Sequence, residues 1–161
     1  MRRFCEWVAK RFPKRVLHVH GEPYLWRIYI CGDPGALSLW PGEVKPTFPW
    51  LPFSVYLHAF LKPDAGRDLH NHPWEKAWSL ILSGGYDEER LDDDEIVERR
   101  MRPGRVNRIR RETFHRVVRL YANPTWTLFV TGKYAGRWGF RDRETGKFIP
   151  WNRYDDLGSF H

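Results

Sequence analysis

The sequence has little that would staple or anchor a fold. Cys5 and Cys31 are the only cysteines and no Cys-x-x-Cys occurs, which excludes a disulfide framework, a cysteine zinc clip and a dithiol redox pair. A reducing compartment is the expectation. No apolar run is long enough to cross a bilayer, and Met1 to Lys10 carries charge on both sides of a very short apolar stretch, unlike a signal-peptide core. A soluble, cytoplasmic protein without a membrane partner is therefore expected. Internal repeats and low-complexity tracts are also lacking.

What is present is a chain of 161 residues, a natural length for one domain, with 9 Trp, 10 Phe and 7 Tyr. These bulky side chains favour strands and bury much area, so an all-β fold is predicted. The formal net charge of +7 raises a polyanionic partner such as nucleic acid. Its distribution argues for a plainer role: eight acids between Asp87 and Glu98 are followed by seven arginines between Arg99 and Arg111. Paired as strands, the two segments would largely neutralise each other.

Residues 1–53 are broken by Pro23, Pro34, Pro41, Pro46, Pro49 and Pro52, and read as an irregular extension that wraps the domain. Two regular pieces are predicted there. One is a short amphipathic helix over Phe4 to Phe12, stopped by Pro13; the other is a strand over Leu25 to Ile30. Residues 54–161 form the domain proper, with strands expected at Ser54 to Leu61, Ala77 to Leu82, Glu95 to Met101, Arg105 to Ile109, Phe114 to Tyr121, Thr125 to Thr131 and Arg137 to Phe140. Turn signals such as Gly84-Gly85, Pro103-Gly104 and Asn123-Pro124 separate them, the spacing of a barrel or sandwich.

His70-Asn71-His72 stands ahead of an apolar strand that ends in Gly84-Gly85. Side chains two apart on a strand share a face, so both imidazoles can aim at one ion. A second such pair, His18-Val19-His20, has no comparable surroundings. Downstream, His115 lies on an alternating segment and would complete three facial ligands, leaving positions for water or substrate.

These residues resemble the two motifs of the cupin superfamily, small jelly-roll barrels with a metal in the mouth. Gly66, His70, His72 and Gly84 match the first motif, although three residues separate Gly66 from His70 where five are usual; Gly104 and His115 match the second. The motif's glutamate ligand would fall at Ala77, and the nearest carboxylate, Glu75, stands two positions early, after Pro73. A three-histidine site is therefore preferred over one using Glu75. Further similarity, in His72-Pro73-Trp74, Thr113-Phe114-His115-Arg116-Val117 and Trp126-Thr127-Leu128-Phe129-Val130-Thr131-Gly132, is to small single-domain cupins often encoded in phage and prophage genomes, over roughly residues 54–154. That resemblance implies a single-domain cupin jelly-roll barrel, a setting in the host cytoplasm if phage-encoded, and pairing through edge strands, with residues 32–53 covering an edge or mediating a homodimer.

The resemblance implies one divalent transition metal held by His70, His72 and His115, with Fe(II) favoured and Zn, Ni or Mn as alternatives. The leading expectation is a mononuclear metalloenzyme, dioxygenase-like chemistry being preferred over Lewis-acid catalysis. Glu75 or Glu112 would be the general acid or base. Arg119 shares parity with His115 and Val117: pointing inward it would bind a substrate carboxylate or phosphate, unless a bulge turns it outward. His58 could approach the same cavity, its plainer reading being a surface or hydrogen-bonded histidine. Trp74 is expected at the cavity mouth and the remaining aromatics in the core. The alternatives are a non-catalytic ligand-binding or sensing cupin, and a nucleic-acid-associated phage protein using Arg99 to Arg111.

Overall fold

Alternation along the strands decides the architecture, because each strand buries one row of side chains inside the barrel and turns the other outward. The computed structural model describes residues 1–32, 48 and 50–154. In chain order these form helix α1 (Arg2–Ala9) and strands β1 (Lys14–Val19), β2 (Glu22–Cys31), β3 (Ser54–Phe60), β4 (Leu69–His70), β5 (Lys76–Ser83), β6 (Tyr86–Asp92), β7 (Glu95–Met101), β8 (Val106–Arg110), β9 (His115–Leu120), β10 (Thr125–Thr131), β11 (Gly139–Arg141) and β12 (Phe148–Pro150). A 3-10 turn, Trp151–Arg153, follows.

Two antiparallel six-stranded sheets face each other, in the orders β1-β2-β3-β10-β5-β8 and β12-β11-β4-β9-β6-β7. The result is a jelly roll. Its first sheet turns Leu25, Tyr56, Phe60, Ala77, Ile81, Ile109 and Phe129 inward. The outer face of that sheet is also apolar, carrying Ile28, Leu57, Ala59 and the fully buried Trp126, and α1 covers it with Cys5, Val8 and Ala9. The helix thus presents its small side chains to the sheet. This differs from the expected Phe4, Val8 and Phe12 stripe: Phe4 is exposed and Phe12 lies beyond the helix, since only small groups let the helix approach a surface already filled by an indole.

The predicted strands are found within three residues at each end, and the N-terminal segment contributes β1 and β2, which join the first sheet through pairing of β2 with β3. Residues 33–47 and 49, which hold most of the stretch expected to cover an edge or mediate a dimer, lie outside the described residues. The acidic and arginine-rich segments pair as expected only in part. β6 and β7 form a hairpin turning at Asp93-Asp94, both in the left-handed region, with Asp87 opposite Arg100 and Glu88 opposite Arg99. Arg108 and Arg110 instead lie on β8 at the edge of the other sheet, opposite Trp78 and Lys76, so no acidic strand neutralises them. Glycine is required at the turn into β6, where a Cβ on Gly85, at φ +122, would stand 2.5 Å from the Met101 carbonyl oxygen. No helix among the described residues is long and apolar enough to cross a membrane.

Trp126 is the largest side chain with no exposure. Trp126→Ala is expected to lower unfolding free energy by about 3–5 kcal/mol, whereas Phe4→Ala should change it by no more than about 0.5 kcal/mol. Urea denaturation of both variants checks the contrast, and equal effects would contradict the helix placement.

Candidate metal centre

Asn71 explains how two histidines one residue apart come to share a direction. Its backbone N–H donates to the Gly139 carbonyl (3.0 Å), its side-chain amide donates to the Arg111 carbonyl (3.0 Å), and its side-chain oxygen accepts from the Gly139 N–H (2.9 Å). With Asn71 tied to the neighbouring backbone, His70 and His72 project the other way, into the barrel. His70 ends β4 and is paired directly with His115 on β9. That register puts their rings on one face, 4.9 Å apart between centroids.

The three imidazoles converge. Nε2 of His72 and Nε2 of His115 are 2.9 Å apart, and one potential ligand nitrogen from each of His70, His72 and His115 lies within 4.8 Å of the others. Two nitrogens bound at right angles to one ion at about 2.1 Å would be about 3 Å apart, so the His72 and His115 spacing suits a shared ion. Burial pushes the His70 imidazole down to about 4, with the His115 charge acting in the same direction and Asp64 opposing. His72 is also held well below 6.5, by burial first and then by the neighbouring His70 and His115. Both stay neutral and able to donate a lone pair near neutral pH.

Behind the imidazoles stand two carboxylates. Glu88, on β6, has no exposure and sets Oε1 2.7 Å from His115 Nδ1, close but off the line of a ring N–H bond. Its other oxygen accepts from the Asn107 amide at 2.8 Å, and Arg90 lies 3.2 Å away. Burial alone would raise the Glu88 carboxyl, but His115, Arg90 and Asn107 outweigh it and hold it at about 2. Asp64 accepts from the Tyr24 hydroxyl and the Val117 N–H and lies 3.9 Å from His70 Nδ1. Carboxylates placed behind ligating imidazoles are the usual device for fixing the ring and raising its basicity.

The site opens into a cavity of about 210 Å³. Its walls are mostly apolar, with Trp74, Phe129 and Phe140 among them, and Trp74, buried rather than open to solvent, stacks on His72 at 5.6 Å. His58 is buried and faces this cavity too, stacked on Phe129 at 4.9 Å.

Two expected catalytic residues are corrected. Glu75 is exposed: Trp74 takes the inward direction, and the Glu75 backbone is held by Lys133 and Arg111 with its side chain outside. Arg119 also points out, because the register with β6 slips between Val117 and Arg119, leaving Val118 as an extra residue. Arg119 then donates to Asp87 at 2.8 Å, and Leu120 takes the inward row. Glu112 is exposed as well. Ala77, at the position of the expected carboxylate ligand, packs among Trp74, Ile109 and Phe129, so no carboxylate joins the three histidines among the described residues. Glu88, Asp64, Arg27 and Asn107 belong to no motif in the sequence. A parity reading of β6, with Tyr86, Glu88 and Arg90 on one face, contains the signal for the first.

No protein-family model matches this chain, and no curated protein matches it. Among solved structures it is similar to HppE in its iron(II) form in complex with substrate, at 10% identity over 76% of this chain and 57% of that chain, with a TM-score of 0.52. It is also similar to oxalate decarboxylase of Lactobacillus farciminis in its formate complex, at 15% identity over 80% of this chain and 32% of that one, with a TM-score of 0.51. The fold is the cupin jelly roll. At these identities the likeness is one of fold, and this chain spans little more than half the length of the first and a third of the second.

His58, His70 and His72 are all held neutral by the fold, whereas in the unfolded chain each would protonate near 6.5. Between those values the unfolded state binds more protons, so stability of the metal-free protein is full above about pH 6.5 and falls as pH drops toward 4. Each group contributes up to about 1.4 kcal/mol per pH unit. Chemical denaturation across pH 4 to 7.5 is expected to show this slope, reduced in His58→Gln; a flat profile would contradict the burial of neutral imidazoles.

Proposed function

We propose that this cupin is a mononuclear metalloenzyme acting on a small molecule in the cavity. His70, His72 and His115 hold one divalent transition metal. The observation that carries the reading is the convergence of three imidazole nitrogens at the floor of an apolar cavity, with Glu88 behind His115. Neutral imidazoles suit Fe(II), Zn, Ni and Mn, and Fe(II) is favoured by the fold likeness to a protein whose iron(II) form was solved with its substrate. A ferrous ion at this position would supply oxidative chemistry.

The surrounding residues favour oxidation over hydrolysis. Metal-assisted hydrolysis gains from a free carboxylate within reach of the nucleophilic water. Here Glu88 is engaged by His115, Arg90 and Asn107, and Asp64 by Tyr24 and Val117. The apolar walls limit bulk water around the reacting groups, and Trp74 fixes the orientation of His72 by stacking. A second reading, nucleic-acid association, is supported by the exposed Arg105, Arg108 and Arg110 beside the half-exposed Trp78 on an edge of the first sheet.

Elemental analysis of protein purified without a histidine tag is expected to give one equivalent of metal, lost in His70→Ala and in His115→Ala. Full retention in either variant would overturn the ligand assignment. Glu88→Gln is expected to keep the three ligands but weaken metal binding by about 10–100-fold, read by competition with a chromophoric chelator. For the second reading, gel retardation at low salt that disappears when Arg105, Arg108 and Arg110 are replaced together is the supporting result, and unchanged nucleic-acid mobility with the parent protein removes it.

A further inference from the structure

Arg27 and His58 are direct partners across β2 and β3, and both face the cavity that holds the three histidines. Arg27 Nε donates to His58 Nε2 at 3.2 Å. That bond needs His58 neutral with its proton on Nδ1, a state that burial and the Arg27 charge both favour. The guanidinium also lies over the Tyr56 ring, 5.4 Å from its centroid. Three of its surfaces are therefore committed: its edge at Nε, one flat face and its stem on the strand. The two terminal amino groups are not. Among the described residues no carboxylate and no hydrogen-bond acceptor pairs with them.

The other charged groups near the cavity are spoken for. Arg90 is held by Glu88, Asn107 and the Arg108 carbonyl, and Asp64 by Tyr24 and Val117. A part-buried guanidinium with a free two-donor end, oriented by a neutral histidine, is a fork awaiting two oxygens. We infer that Arg27 anchors the substrate through a carboxylate, so that the cupin takes small monocarboxylates whose apolar body lies against Trp74 and Phe129. Among the described residues that line the cavity Arg27 is the one guanidinium, so its two donors match the two oxygens of one carboxylate, whereas a phosphate would bring further oxygens against walls that are mostly apolar. The cavity of about 210 Å³ suits a small molecule. Arg27 takes the part first expected of the outward-turned Arg119. The inference rests on the reading of this cavity as the substrate site, but not on which metal is held there.

The probe is phenylacetate, with the neutral, near-isosteric phenylacetamide as control, titrated into the metal-loaded and the chelator-treated protein. Saturable phenylacetate binding by calorimetry is expected, at least tenfold tighter than phenylacetamide. Arg27→Gln should lose at least tenfold, Arg27→Lys should fall between because it keeps the charge without the fork, and Arg119→Gln should bind as the parent does. Absence of saturable phenylacetate binding overturns the inference, as does equal binding by Arg27→Gln or by the amide. Should Arg27→Gln fail to fold, the guanidinium ¹⁵N–H signals of Arg27 in the parent protein decide: they shift on phenylacetate addition if the anchor is right and stay in place if it is wrong. Binding that survives in the metal-free His115→Ala variant and still depends on Arg27 supports the anchor whatever the fate of the metal reading. Binding lost in His115→Ala but kept in Arg27→Gln places the anion on the metal, overturning the anchor while the metal reading stands.

Discussion

A fully buried carboxylate, Glu88, is the constraint on which the rest of the site depends. It lies inside the barrel on the second sheet, where an unpaired charge would be severely penalised, so it must be surrounded by donors. The fold supplies them from both sheets: Asn107 reaches across from β8, while Arg90 and His115 come from β6 and β9. Arg90 in turn donates to Asn107 and to the Arg108 carbonyl, which closes the network between the sheets. Removing one member leaves the others unsatisfied in a medium of low dielectric, so the group behaves as a unit. It joins the sheets and also fixes the direction in which His115 offers its second nitrogen.

The two ends of the barrel interior are treated differently. The polar network and the three histidines sit toward β4, β6 and β9, whereas the opposite wall is built of Phe129, Trp74 and Ile109, with the Arg27 guanidinium and its hydrogen-bonded neutral partner His58 set into it. Small-molecule sites commonly have this composition, a mainly apolar hollow with a few placed polar groups that fix orientation. Here a cation on one wall faces imidazoles on the other, and a ligand bridging them would be held at both ends. Trp126 and α1 close the back of the first sheet, so strands bearing Arg27 and His58 are packed on both faces.

Much of this arrangement is legible in the residues alone. The strand pattern, the convergence of His70, His72 and His115, and the aromatic beside His72 all follow from period-two alternation and the placement of turn residues. Arg119 and Glu75 depart from that pattern for local geometric reasons. Alternation counted from His115 puts Arg119 inside, and one extra residue at Val118 reverses every side chain after it. Nothing in Val117-Val118 announces a bulge. Glu88 is hidden among its acidic neighbours, since a run of charges looks the same in sequence whether one member is inside or all are outside.

The sequence by itself determined an all-β chain whose three histidines could meet, because that information is carried by short-range periodicity and by residue types with few other uses in such positions. Only the tertiary structure decided which charges face the histidines. Whether Glu88 and Asn107 meet behind His115 and Arg27 faces the cavity depends on the register of strands far apart in the chain, Arg27 with His58, Ser79 with Asn107 and Glu88 with Val117, and a shift of one residue in any pairing would turn the side chain to the opposite face. Long-range pairing is set by the packing of the whole barrel, and no local stretch of sequence contains it.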